Sequence, residues 1–166
     1  NGNRVLVYSR SFDGTLSQSN SVATGGNGTG SGLGSQGAVL FYRSGATDYV
    51  IAVNAGSNDV SVFRSEGTVL TWIDKVSSQG TLPISVTAHD DLLYVLNAGG
   101  SGNISGFRIS SDGHLAYLAN SSKALSSNDA GPAEIQFSND GKQLVVTEKN
   151  TNTITTYSVN ENGLAA

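Results

Sequence analysis

Short apolar runs, four to six residues long, alternate along the chain with clusters of Gly, Asn, Asp and Ser, and the runs return in the same order. Around residue 58 the chain reads Tyr49-Val-Ile-Ala-Val-Asn54, then a short Asn/Gly loop, then Asp59-Val-Ser-Val-Phe63 and a turn at Gly67. Around residue 103 it reads Leu93-Tyr-Val-Leu-Asn97, then Asn103-Ile-Ser-Gly-Phe107 and Asp112-Gly-His-Leu115. Around residue 152 it reads Leu144-Val-Val-Thr-Glu148, then Asn152-Thr-Ile-Thr-Thr-Tyr157 and Asn162-Gly-Leu164. The chain opens inside the same unit, with Asn3-Arg-Val-Leu-Val-Tyr8 and the turn Asp13-Gly-Thr-Leu16. The ring residues Tyr8, Phe63, Phe107 and Tyr157 follow one another at intervals of 55, 44 and 50 residues. Alternation with a period of two marks half-buried strands, and the Gly-containing turns supply the positive φ that hairpins require.

A further apolar run precedes three of these units, at residues 37–41, 83–87 and 132–137, and a weaker one follows the turn, as in Leu70-Thr-Trp-Ile-Asp74 and Leu115-Ala-Tyr-Leu118. Four antiparallel strands in about 45–50 residues is the period of a β-propeller blade. The expected fold is therefore all-β: a partial β-propeller, about three blades plus part-blades, of a whole that closes with about 4–8 blades and that the family resemblance given below makes seven-bladed. Residues 1–23 give the outer strands of a first blade, 24–36 a Gly-rich loop, 37–76 a second blade, 77–120 a third and 121–166 an incomplete fourth. Thirteen strands in this count leave roughly fifteen of the twenty-eight in a seven-bladed propeller to be supplied elsewhere. A complementary chain or segment completing the propeller is thus expected as a partner.

Composition narrows the function classes. With 166 residues, 21 Gly, 24 Ser, 13 Thr, 15 Asn and only 13% charged residues, long amphipathic helices are excluded. No apolar run approaches the ~20 residues of a membrane span. A net charge of −4 with nine scattered basic residues leaves no patch for nucleic acid. The absence of Cys excludes disulfides and Cys-ligated metal.

The residues Leu93-Tyr-Val-Leu-Asn97, Asp112-Gly-His-Leu115 and Gly131-Pro132…Phe137-Ser-Asn-Asp-Gly-Lys142 resemble the lactonase-type seven-bladed propeller family, which includes bacterial 6-phosphogluconolactonase and the fungal carboxymuconate-lactonizing enzyme. The Gly-rich run 25–37 with Ala52-Val-Asn-Ala-Gly-Ser-Asn58 looks like its secreted, carboxymuconate cyclase-like members. The resemblance implies catalysis by a His and Arg residues on inner strands, with an acid nearby, acting on a lactone or a muconate. At the matching places this chain has Ala133 after Pro132 and Ile84 after Pro83. Glu148 alone keeps an acidic place, and one acid cannot both polarise a lactone carbonyl and deliver a proton. The expected role is a ligand- or partner-binding propeller with no catalysis from this segment. The alternatives are a lactone hydrolase or cycloisomerase whose catalytic residues lie on other blades, and a structural extracellular or cell-wall protein.

Other signals weigh less. Gly32-Leu-Gly34-Ser-Gln-Gly37 has the dinucleotide-binding spacing, but a strand follows where that motif needs a helix. Its Gly-rich surroundings read as a blade connection or as a loop over the channel mouth. His89, Asp90 and Asp91 read as a turn rather than a metal site, and Trp72 as packing on an outer strand. Nothing calls for a cofactor or a metal. A ligand site belongs at the channel mouth, among Gln36, Asn54, Asn97, Glu134, Glu148 and Lys149, for a carbohydrate or a small carboxylate. The resemblance to secreted members implies a secreted, fungal protein, and with it the sequons at Asn27, Asn103 and Asn120, in loops of the repeat map, lead to the expectation of a glycoprotein.

Overall fold

The two-residue period is realised strand by strand in a computed structural model that describes residues 2–166, with fourteen strands and no helix among them. β1 (Gly2–Arg10) and β2 (Leu16–Asn27) form an antiparallel hairpin. β3 (Val39–Ser44), β4 (Thr47–Asn54), β5 (Asp59–Glu66) and β6 (Val69–Ser77) form a four-stranded meander. β7 (Pro83–His89), β8 (Leu92–Asn97) and β9 (Asn103–Ile109) repeat it, with the outer edge shared by β10 (Leu115–Tyr117) and β11 (Lys123–Ala124). β12 (Pro132–Phe137), β13 (Gln143–Glu148) and β14 (Thr153–Ser158) make the last sheet, and a bridge between Val159 and Ala165 begins a fourth strand there. The four sheets are successive blades of a partial β-propeller.

Each blade is held to the next by apolar side chains of alternate residues. Val5, Val50, Ala52 and Phe63 pack between the first and second blades. Ile51, Val62, Val86, Val95 and Phe107 pack between the second and third, and Ile84, Tyr94, Ile135, Leu144 and Tyr157 between the third and fourth. Burying each of the Val, Ile, Leu and Phe side chains among these stabilises the fold by about 1.5–3 kcal/mol. Ser85 and Thr87 in β7 complete the junction, because their hydroxyls accept hydrogen bonds from the Ile135 and Phe137 amides at 3.2 and 3.1 Å. Two amides of the β12 edge are therefore satisfied by side chains rather than by another strand.

In the third and fourth blades the turn after the third strand interlocks with the blade before it. A Cβ on Gly113 would lie 2.5 Å from the Tyr49 ring, and one on Gly163 would lie 2.5 Å from Leu92. Both glycines have positive φ, 90° and 82°, so the turn needs glycine for its backbone as well as for space. Tyr49 and Tyr94 reinforce the contact by donating their hydroxyls to the carbonyls of Ser111 and Gly163.

Three details differ from the sequence pattern. The second strand of the hairpin continues through Thr24-Gly-Gly-Asn27, so the stretch without strand structure is 28–38. The outer strand of the third blade is broken at residues 118–122, because the Ser121 hydroxyl takes the Gly106 amide at 2.8 Å and Asn120 turns the chain at φ 67°. Trp72 lies opposite Phe63 in β6 but leaves 54% of its surface exposed, so it covers its blade only in part.

Candidate functional site

In the second, third and fourth blades the last residue of the second strand turns inward. Asn54 is fully buried, and its amide donates to Asp59 at 2.6 Å and to the Ser61 hydroxyl at 2.8 Å. Its own carbonyl accepts from the Asn3 amide at 3.0 Å. Ser61 passes the connection on by donating to the Thr24 carbonyl at 2.8 Å. Asn97 occupies the same place one blade on, donating to the Ser78 carbonyl at 3.2 Å, while Ser105 donates to that carbonyl at 2.6 Å. The Asn97 Oδ1 is buried without a partner.

In the fourth blade the place is taken by Glu148, 2% exposed. Its carboxylate accepts from the Ser126 amide at 3.1 Å, from the Ser126 hydroxyl, from Thr155 at 2.8 Å and from Thr151 at 3.2 Å. Burial pushes the carboxyl up, but these hydrogen bonds outweigh it and hold Glu148 below the ordinary carboxylate range. Asn54, Asn97 and Glu148 thus bind each blade to the end of the one before. They do not reach a common cleft, and Glu148 makes no ion pair with Lys149.

The other three nominated residues do come together. Residues 34–37 run across the inner strands of the third and fourth blades. The Ser35 hydroxyl donates to the Ile84 carbonyl at 3.0 Å, the Gln36 amide to the Ala133 carbonyl at 3.0 Å, and the Val86 amide to the Gly37 carbonyl at 2.9 Å. Leu33 packs against both large cores. Lys149 Nζ ties the segment from the other side, donating to the Gly34 carbonyl at 2.7 Å. Beside this strap lies an open cleft of about 450 Å³, lined by Gly34, Ser35, Gln36, Ala133, Glu134 and Thr147. Its groups are one carboxylate, one amide and two hydroxyls, with the Lys149 ammonium at the rim, which suits a small ligand rich in hydroxyls.

Thr147 and Ser35 were not singled out in the sequence. Strand alternation could have found Thr147, since a buried Glu148 sends both its neighbours to the opposite face. Ser35 gave no such signal. Among the other candidates, Asn27 and Asn120 are exposed, whereas Asn103 is half-buried with its amide on the Gln79 carbonyl at 3.3 Å. His89 lies over Gly141 and 3.6 Å from Asp90, and no group of three metal-ligating side chains occurs among the described residues.

No protein-family model matches the chain, and no curated protein does. Solved structures do. A candidate 6-phosphogluconolactonase from Bacteroides uniformis matches 99% of this chain and 47% of its own length, with a TM-score of 0.75 and 18% identity. A second candidate 6-phosphogluconolactonase, from Bacteroides fragilis, matches 98% of this chain and 63% of its own length, with a TM-score of 0.65 and 16% identity. A protein from Lactobacillus plantarum matches 98% and 47%, with a TM-score of 0.71 and 20% identity. The chain thus spans about half to two thirds of these structures. At such identities the likeness shows the lactonase-like fold alone.

Proposed function

We propose that the chain is part of a secreted, lactonase-like propeller that binds a small, hydroxyl-rich ligand of the carbohydrate class beside the Gly-rich strap. The observation that carries this reading is the meeting of Gln36, Glu134 and Thr147 in one open cleft, with Lys149 at its rim. Among the described residues no donor lies within hydrogen-bond reach of the Glu134 carboxylate, so it is free to accept from a ligand hydroxyl. The same carboxylate opposes an anionic ligand, and the one cation beside it already donates to Gly34. A neutral polyol therefore suits the cleft better than a small carboxylate. The Ser35 hydroxyl is committed to the Ile84 carbonyl, and no His lines the cleft to act as a base for it.

Calorimetric titration with a panel of mono- and oligosaccharides tests the reading. Micromolar to millimolar binding that falls at least tenfold in Glu134→Ala is expected, and saccharide binding equal in wild type and E134A would overturn it. The fold likeness favours one second reading, hydrolysis of 6-phosphogluconolactone by residues on other blades. Turnover of that lactone unchanged by E134A would support this second reading and remove the strap-side cleft from the chemistry.

A further inference from the structure

Trp72 is the one tryptophan of the chain, and packing does not account for it. It stands opposite Phe63, on the face of the second blade turned toward the first. Phe63 is fully buried without needing the indole, which stays more than half exposed. Tyr117 holds the same place in the third blade, but its ring leans edge-on against Phe107 with centroids 5.8 Å apart. Among the described residues no ring stacks on Trp72. The surface across from it is polar and uncharged. On β1 and β2 the face turned toward the second blade runs from Val5 and Val22, through Val7 and Asn20, to Ser9, Ser17 and Ser19. The Ser9 and Ser19 hydroxyls bond each other, and the Asn20 amide donates to the Thr68 carbonyl at 3.4 Å, which holds this wall against the start of β6. Strand alternation turns Arg4, Arg10, Arg64, Glu66 and Asp74 to the opposite faces of their sheets. Asp59 and Lys75 share the Trp72 face at its far end, where they engage the Asn54 amide at 2.6 Å and the Gly25 carbonyl at 2.8 Å.

We propose that Trp72 and the serine wall facing it form a docking platform for a neutral polysaccharide. One pyranose lays its C–H face on the indole while its hydroxyls bond Ser9, Ser17 and Ser19. The chemistry selects this class of partner. An exposed indole offers a broad apolar plane, and each serine hydroxyl brings one donor and two acceptor sites, of which the contacts within the wall use only part. A charged polymer finds no free counter-charge on this face. A wholly apolar partner would cover the serine hydroxyls without satisfying them, at a cost in free energy. A sugar ring, apolar on its faces and polar at its edge, meets both demands. The platform lies on β2 and β6, the last strands of their sheets, so it opens on the rim of the blades. It shares no residue with the strap-side cleft, and the inference is independent of the reading given for that cleft.

Because Trp72 is the sole tryptophan, intrinsic fluorescence reads this platform directly. Cellohexaose, laminarihexaose, chitohexaose and mannohexaose serve as probes, each titrated into the 166-residue chain. The expected result is a saturable blue shift with at least one of them, at micromolar to millimolar concentration, with a matching loss of acrylamide quenching. Ser17→Ala with Ser19→Ala keeps the fluorophore and should weaken this binding by about fivefold or more. Glu134→Ala should leave the shift in place, whereas calorimetry of Trp72→Ala reads the strap-side cleft alone. No shift with any of the four hexasaccharides, while acrylamide quenches the indole freely, would overturn the proposal. So would a shift abolished by E134A, which would assign the sugar to the strap side. A blue shift that grows with chain concentration in the absence of sugar would also overturn it, by identifying a second copy as the occupant.

Discussion

The buried carboxylate of Glu148 shows how one residue ties blade packing to pH. Its partners Ser126, Thr151 and Thr155 hold it ionised below the ordinary carboxylate range, so the folded chain loses that proton more readily than the unfolded chain. The stability it contributes is present above the ordinary carboxylate pKa and is lost as pH falls through the lowered folded value. Glu148→Ala should cost about 2–4 kcal/mol at neutral pH and flatten the acid limb of the stability profile, as read by urea unfolding from pH 3 to 7. Tyr157 supplies the opposite limb. Burial, with the Glu148 charge added, pushes its hydroxyl up to about 12. The folded chain therefore keeps this proton longer than the unfolded chain, and stability falls as pH rises from the ordinary tyrosine value toward about 12. Tyr157→Phe should remove that alkaline loss. At neutral pH it should cost only about 1 kcal/mol for the hydrogen bond to the Ala124 carbonyl.

Among elements, the turns after the third strands separate backbone strain from packing. Gly67 and Gly113 have φ 63° and 90°, but only Gly113 has a neighbouring ring against it. Ala at 67 should lower stability by about 1 kcal/mol, the cost of a positive φ alone. Ala at 113 should lower it by about 3 kcal/mol or more, because Tyr49 must move as well. Thermal unfolding of the two variants measures the difference. Strand placement also discriminates among the sequons. Asn27 and Asn120 present exposed side chains, whereas Asn103 donates to the Gln79 carbonyl and its partner Ser105 is buried on the Ser78 carbonyl. In a secretory host, peptide mapping after enzymatic deglycosylation should find glycans at 27 and 120 and an unmodified Asn103.

Across the molecule, the propeller was legible because strand alternation, the ring residue and the Asx-Gly turn recur in register. Tyr8, Phe63, Phe107 and Tyr157 mark that register from the sequence. The site was legible only in half. That Asn54, Asn97 and Glu148 end their strands follows from the pattern. Their inward direction depends on the carbonyls and amides of Thr24, Ser78 and Ser126 in the preceding blade, which no local period encodes. The path of residues 34–37 was hidden for the same reason, since glycine-rich sequence sets no direction of its own. The structure gives that path four hydrogen bonds and the Leu33 side chain. Leu33→Ala with Lys149→Ala should free it. Amides of residues 28–37 should then exchange at least tenfold faster while those of β8 and β13 keep their protection.

The strap also fixes an order of events in time. Gly34 and the lysine that holds it are 115 residues apart in the chain. At a synthesis rate of about 5–20 residues per second, the glycine-rich stretch emerges several seconds before its anchor exists. The second and third blades, built from hairpins between neighbours in sequence, can close meanwhile, since local contacts form before distant ones. Ser35 and Gly37 can bind Ile84 and Val86 once the third blade closes, but the bonds of Gly34 and Gln36 to Lys149 and Ala133 must wait, and residues 28–34 stay loosely held through that interval. The cleft beside the strap is thus completed only when the fourth blade arrives, and in a secretory host a glycan added at Asn27 would be in place before that happens.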